Sequence, residues 1–215
     1  MKYKNIVFDI DGTLIDTEKA ILRSLQKALL KLTNKRFELE DLRFALGIPG
    51  KDALRKLGIK DLDAAQLLWD EIYRDYIPEV RVFEGIIPVL RQLKADSYTL
   101  GIITSKTKEE YQADFYPLGL DQYFECKICA DDSRKHKPDP EPMLKYLECA
   151  GAKPDEVLYI GDSIYDLQCA QGAGVDFGLA LWGCNNPQNI PATYYFEHTK
   201  DVISLLDHKL KSVNA

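Results

Sequence analysis

Ile6-Val7-Phe8-Asp9-Ile10-Asp11-Gly12-Thr13 is the stretch whose reading decides the fold. Its apolar run reads as a short buried strand, and the glycine marks the turn that ends it. Two carboxylates two residues apart at that end, splayed by the turn, can both point into the crevice beyond a sheet, where open α/β folds bind ligands. Held so close they repel, so a cation or a shared proton must compensate them. One reading is a Mg²⁺ site in which one carboxylate binds metal and attacks while its neighbour handles protons. The other is a polar turn after a strand, because Asp and Gly are ordinary turn residues.

Outward from this stretch the pattern turns helical. Ile21, Leu22, Leu25, Ala28, Leu29 and Leu32 recur at three- and four-residue steps, which predicts an amphipathic helix from Thr17 to Leu32. Asp16 or Thr17 is the expected N-cap and Asn34 stands near the stop. Shorter helices are expected over Leu39–Leu46, Lys51–Leu57 and Asp63–Tyr76, and no stretch of this block reads as a strand. From Val82 the chain returns to alternation. Helices are expected over Ile86–Lys94, Lys108–Phe115, Glu141–Ala150, Ile164–Ala173 and Lys200–Leu210. Between them lie strands at Tyr98–Ile103, Cys126–Ala130, Val157–Ile160, Asp176–Ala180 and Thr193–Phe196. The fold class is therefore α/β: a doubly wound, mostly parallel, Rossmann-like sheet with an inserted α-helical block. The expected division is a core of residues 1–15 and 82–215 and a helical insert of residues 16–81.

A chain of 215 residues suits one or two domains with a real hydrophobic core. The formal charge of −6 argues against a broad nucleic-acid or anionic-membrane footprint. No apolar run approaches the roughly 20 residues needed to span a bilayer, and the N-terminus leads into a strand instead of a signal peptide, so a cytoplasmic location is expected. Five cysteines, an odd number without framework spacing, suit a reducing compartment. Cys126 and Cys129 form a C-x-x-C pair, but within a strand an offset of three puts them on opposite faces, which favours packing over metal binding.

Three more stretches fall at the C-terminal ends of predicted strands. Thr104-Ser105 offers hydroxyls and backbone N–H groups for a phosphoryl oxygen, or simply an N-cap. Lys137, within His136-Lys137-Pro138-Asp139-Pro140-Glu141-Pro142, is a cation in a stiff turn, or a solvated loop lysine. Gly161-Asp162-Ser163-Ile164-Tyr165-Asp166 carries two acids one helical turn apart; alone, Asp162 could cap the next helix and Asp166 could face solvent. Taken together and in order, the four stretches supply an inventory for metal-assisted phosphoryl transfer through an aspartyl-phosphate.

With those residues in view, the sequence resembles the haloacid dehalogenase-like (HAD) hydrolase superfamily along its whole length. Asp9-Ile10-Asp11-Gly12-Thr13 looks like its first motif, Thr104 its second, Lys137 its third, and Gly161-Asp162 with Asp166 its fourth. The resemblance implies that Asp9 is the nucleophile and a Mg²⁺ ligand. Asp11 would be the acid and base, binding metal through its carbonyl. Thr104 would bind the phosphoryl group with Ser105 as a secondary contact, and Lys137 would neutralise charge. Asp162 would be a metal ligand, and Asp166 would hold metal-bound water or orient its neighbours. Carboxylate and carbonyl oxygens suit hard Mg²⁺ better than any of the three histidines.

In this family the helical block would be a cap, with hinges at Leu14–Thr17 and Glu79–Gly85. Its loop Gly47-Ile48-Pro49-Gly50-Lys51 looks like one that faces the site, and Lys51 or Arg55 is a candidate contact for a second anionic group of the substrate. The alternative is an ordinary helix connection with solvated charges. Trp69 and Tyr73 read as core residues. Asp11 is present, which disfavours carbon–halogen chemistry. Ile21 stands where sugar-phosphate mutases usually carry a histidine in the first cap helix, and no lysine is singled out for Schiff-base chemistry on phosphonates. The general look is that of the phosphoglycolate phosphatase branch, with pyrophosphate, sugar phosphates and nucleotides as other candidate substrates. The expected partner is a small phosphorylated metabolite, with no nucleic acid and no membrane, and the chain is expected to be a monomer or weak homodimer. Two other classes compete: receiver domains, which are shorter and lack a helical insert, and a non-catalytic sensor of a phosphorylated ligand.

Overall fold

The opening apolar run forms β1 (Asn5–Phe8), buried at every residue, in a computed structural model that describes residues 2–205. A tight turn leads to β2 (Ile15–Asp16) and α1 (Glu18–Thr33), which ends at Asn34 in the left-handed conformation. A 3-10 segment (Glu40–Ala45), α2 (Gly50–Lys56) and α3 (Leu62–Arg74) follow, and β3 (Arg81–Val82) returns the chain. Then come α4 (Ile86–Ala95), β4 (Thr99–Ile103), the short α5 (Lys108–Glu110) and β5 (Cys126–Ile128). The chain continues through α6 (Glu141–Ala150), β6 (Val157–Gly161), α7 (Ile164–Gly172), β7 (Asp176–Ala180) and β8 (Tyr194–Phe196).

Six strands make one all-parallel sheet in the order β5-β4-β1-β6-β7-β8. Ile6 lies beside Leu100 on one side and Leu158 on the other. Strand alternation sends Ile6, Phe8, Leu100 and Ile160 into one apolar layer with Val89 and Leu90 of α4. Val7, Ile103 and Tyr159 go to the opposite layer with Met143 and Tyr146 of α6 and Leu167 of α7. Both faces being covered is what a parallel sheet requires. From β1 the chain winds outward in both directions, so β1 and β6 flank the point where strand order reverses, the place such sheets gather a site.

The helical block has its own core, with Leu25, Leu29, Leu42, Leu54, Trp69 and Ile72 packed together. It joins the sheet through β2 and β3, which pair antiparallel at Ile15↔Val82 and Asp16↔Arg81. That two-residue pair lies inside the stretches expected as hinges and is too short to leave a periodic signal.

Several elements differ from the sequence expectation. Thr17 occupies the N-cap position of α1, but its side chain makes no cap bond and donates instead to Asp11. Leu32 is exposed, while Ser24 is buried and its hydroxyl accepts from the Trp69 indole N–H at 2.8 Å. The helix expected over Lys108–Phe115 is one α turn followed by a π-helical segment (Tyr111–Phe115). Cys126 and Cys129 do fall in opposite layers, but Cys126 is bonded to Cys149 of α6, a pairing that sequence spacing did not reveal. The closing helix is present over 201–205, Lys200 is in the turn before it, and 206–210 lie outside the described residues. Among the described residues no helix is long and apolar enough to cross a membrane.

Candidate active site

The strand ends set the geometry. Asp9 follows β1, Thr104 follows β4 and Asp162 follows β6, and these three strands are adjacent in the sheet. Asp9 is 2% exposed, and its N–H donates to the Ile160 carbonyl at 2.9 Å, which extends the ladder one residue past the strand. Beyond it the chain wraps tightly: the N–H groups of Leu14 and Ile15 both donate to the Ile10 carbonyl, at 2.8 and 3.0 Å. Gly12 takes φ +74 there, and a Cβ on it would lie 2.3 Å from an Asp162 carboxylate oxygen. Only glycine gives that turn and that approach together. Gly183, in the loop after β7, abuts the same turn, since its Cβ would fall 1.7 Å from the Gly12 carbonyl oxygen.

Lys137, 4% exposed, reaches in from the loop before α6, where the Lys137–Pro138 bond is cis. Its ammonium lies 2.9 Å from Asp9 Oδ1 and 2.7 Å from Asp166 Oδ1. Burial pulls its pKa down, but the Asp166 and Asp9 carboxylates outweigh burial and leave the pKa raised. Asp166 uses both oxygens. Oδ1 receives Lys137 and lies 2.9 Å from the Tyr159 hydroxyl, while Oδ2 accepts from the Ser163 N–H at 3.0 Å in the capping box of α7. Burial pushes the Asp9 carboxyl up to about 7, against the pull of Lys137 and with the push of Asp166 and Asp11. Asp162 is pushed well above the usual carboxylate range by burial and then by Asp166 and Asp9.

Asp9, Asp162 and Asp166 each offer an oxygen within 4.8 Å of the others. Three carboxylates share one ammonium, so when ionised they carry negative charge that Lys137 alone does not offset, and the donors are all oxygens. That is the donor set of a hard divalent cation, and Mg²⁺ fits it. Asp166, already fully hydrogen-bonded, is suited to orienting its neighbours. The Asp11 side chain turns elsewhere: its Oδ1 accepts from Thr17 at 2.7 Å and lies 3.0 Å from the Lys106 ammonium.

Asp9 and Asp11 open onto a cavity of about 110 Å³. Ser105 and Lys106 line it from the sheet side, and Gly47, Ile48, Trp69 and Tyr73 from the helical block. The Gly47 loop thus faces the carboxylates, and Trp69 and Tyr73 are cavity wall as well as core. Thr104 is buried and its hydroxyl accepts from the Lys106 N–H at 3.2 Å. Ser105 donates to the Gly47 carbonyl at 2.9 Å, so its side chain is spent on seating the helical block. Lys51 and Arg55 are not brought into the cavity. They line a neighbouring groove, where Lys51 pairs with Asp63 at 2.6 Å and Arg55 pairs with Asp52. His136 lines that groove too. Tyr159 and Lys106 escaped sequence reading. Tyr159 sits mid-strand where an aromatic reads as core, and Lys106 is one of many charged residues in a loop.

A doubly wound parallel sheet, interrupted after its first strand by helices and ending in aspartates around a lysine, is the frame of a hydrolase that works with carboxylates. The chain belongs to the haloacid dehalogenase-like hydrolase family, whose model matches residues 6–180. It is similar to the pyrophosphatase PpaX of a Bacillus cereus strain, at 27% identity over 216 residues, covering 99% of this chain and 100% of the relative. To the PpaX of a second Bacillus cereus strain it is 30% identical over 183 residues, 85% of each chain. Among solved structures, a candidate phosphoglycolate phosphatase from Lactobacillus plantarum superposes with a TM-score of 0.88 at 31% identity, covering 95% of this chain and 100% of that one.

Proposed function

We propose that this hydrolase is a Mg²⁺-dependent phosphatase of small phosphorylated metabolites, acting on phosphate monoesters through an aspartyl-phosphate on Asp9. The observation that carries the reading is the Asp9 carboxylate itself. It is buried, paired with Lys137, within 4.8 Å of Asp162 and Asp166, and open to the cavity under the helical block. In this reading residues 16–81 are a cap over a core of residues 1–15 and 82–215.

Asp9, Asp162 and the Asp11 carbonyl would hold the metal, which when bound neutralises the carboxylates and the phosphoryl oxygens. The chain's own groups do the rest. An Asp9 oxygen attacks phosphorus in line, the bond to the leaving oxygen breaks, and Asp11 gives that oxygen its proton. Asp11, now ionised, takes a proton from water as the water oxygen attacks the aspartyl-phosphate, releasing inorganic phosphate and restoring Asp9. Lys137 and the Thr104 hydroxyl offset charge on the peripheral oxygens, the main source of rate enhancement in phosphoryl transfer. The seated helical block excludes water from the first step.

The test is hydrolysis of p-nitrophenyl phosphate with Mg²⁺ and with EDTA, in the wild type and Asp9→Asn. Steady release by the wild type with Mg²⁺ alone, and none by the variant, is expected. An Asp9→Asn protein that keeps its rate would sink the proposal, and labelling of Asp9 without continued release would make the chain a phospho-sensor. A second reading, pyrophosphate hydrolysis, is favoured by the name PpaX that the full-length relatives carry. A panel that includes phosphoglycolate and pyrophosphate separates the two.

A further inference from the structure

Lys106 lies outside the four motifs, yet it is 7% exposed and its ammonium sits among charges. It is 3.0 Å from Asp11 Oδ1 and 2.6 Å from Asp114 Oδ2. Asp114, 2% exposed, comes from the π-helical segment after α5, a wider coil than an α-helix and one that recurs at functional sites. Tyr73 of α3 donates to the same Asp114 oxygen at 2.7 Å and lays its ring 5.8 Å from the ammonium. The line Tyr73–Asp114–Lys106–Asp11 therefore runs from the helical block to the carboxylate beside Asp9.

A buried ion-pair cluster of this kind seldom raises stability above what apolar side chains of the same volume provide. What it does supply is direction. Thr17 and Lys106 both engage Asp11 Oδ1, and no donor among the described residues engages Oδ2. One oxygen is clamped, and the other is left for the cavity that Asp11 lines.

We propose that Lys106 is a positioning residue for Asp11: fixed by Asp114 and by Tyr73 from the helical block, it clamps one carboxylate oxygen so that the other meets the leaving oxygen. The inference rests on the phosphatase reading above, in which Asp11 protonates the leaving group. It makes proton delivery depend on a hydroxyl that the core lacks and the helical block brings.

The readout is dependence on leaving group. p-Nitrophenolate departs with little help, whereas the phenolate of phenyl phosphate needs its proton, and the two substrates have nearly the same shape. We expect Lys106→Met, assayed with Mg²⁺, to lower kcat/KM on phenyl phosphate about 100-fold, the lower range of general-acid contributions, and on p-nitrophenyl phosphate less than about tenfold. Tyr73→Phe, which removes one hydroxyl and keeps the ring, should shift the same ratio in the same direction by about threefold to tenfold. It stands in if Lys106→Met does not fold. Equal losses on both substrates, or no loss on either, would overturn the positioning role while leaving the phosphatase reading intact. A wild type that hydrolyses neither substrate ends both.

Discussion

At the scale of single residues, the site is a problem in compensating charge. Lys137 stands between Asp9 and Asp166, all three buried. Lys137→Met leaves two carboxylates facing each other without their cation, and loss of one partner of a buried pair costs about 3–5 kcal/mol. Urea denaturation in EDTA should show a loss of that size, and hydrolysis should vanish with it. The pH dependence comes from Asp162, pushed well above its ordinary range, and from Asp9. The Asp9 carboxyl, raised from 3.8 to about 7, keeps its proton in the folded metal-free chain where the unfolded chain has lost it. Its stabilisation is complete below pH 3.8 and disappears as pH climbs through 7, so metal-free stability should decline between those values. Mg²⁺ favours the ionised carboxylate and should flatten the decline. Denaturation series from pH 5 to pH 8, with EDTA and with Mg²⁺, check both slopes; parallel slopes in the two series would count against metal binding at Asp9.

At the scale of elements, the turn after β1 matters as much as the strand. Gly12→Ala places a methyl 2.3 Å from an Asp162 oxygen at a φ of +74, so either the turn or the carboxylate must move. We expect a loss of about 1–2 kcal/mol from the left-handed backbone alone, seen by thermal melting, and a Mg²⁺ requirement displaced to higher concentration, seen in an activity titration. This turn also shows where sequence reading stops. Strands such as Val157–Gly161 are legible because burial on both faces demands continuous apolar runs, and the acids and lysine after them stand out against those runs. The convergence of Asp9, Lys137, Asp162 and Asp166 follows from strand order, which crossover rules restrict strongly. Tyr159, Asp114 and Lys106 were not legible: each looks ordinary locally, and only tertiary contact makes it part of the site. The same holds for the two-residue β2–β3 pair, the π-helical segment and the Cys126–Cys149 bond, none of which has a period to detect.

At the scale of the whole molecule, the helical block sits on the sheet through separated polar contacts. Ser105 meets Gly47, Tyr73 meets Asp114, and Arg43 with Asn185 brackets Glu18. Between them lies the cavity, and its charge constrains the leaving group. Lys51 and Arg55 lie outside it, and Lys106 is already matched by Asp11 and Asp114. Arg74 is the remaining cation on the wall, set against the three acids Asp70, Glu109 and Glu110. Burial raises the Asp70 and Glu110 carboxyls, outweighing the Gln66 amide on Asp70 and the Lys106 charge near Glu110. A second anionic group, as in pyrophosphate or phosphoglycolate, would therefore meet repulsion that a neutral alcohol does not. Glu109→Gln removes one exposed charge from that wall without touching Asp9, Asp11 or Lys106. Two unit charges 4 Å apart in water interact by about 1 kcal/mol, so kcat/KM on pyrophosphate should rise about fivefold in the variant relative to p-nitrophenyl phosphate. The gain should shrink as salt shortens the screening length to about 10 Å at 0.1 M and further at higher salt. A variant that gains nothing on pyrophosphate at low salt, with its rate on p-nitrophenyl phosphate intact, would show that the second anion binds away from this wall.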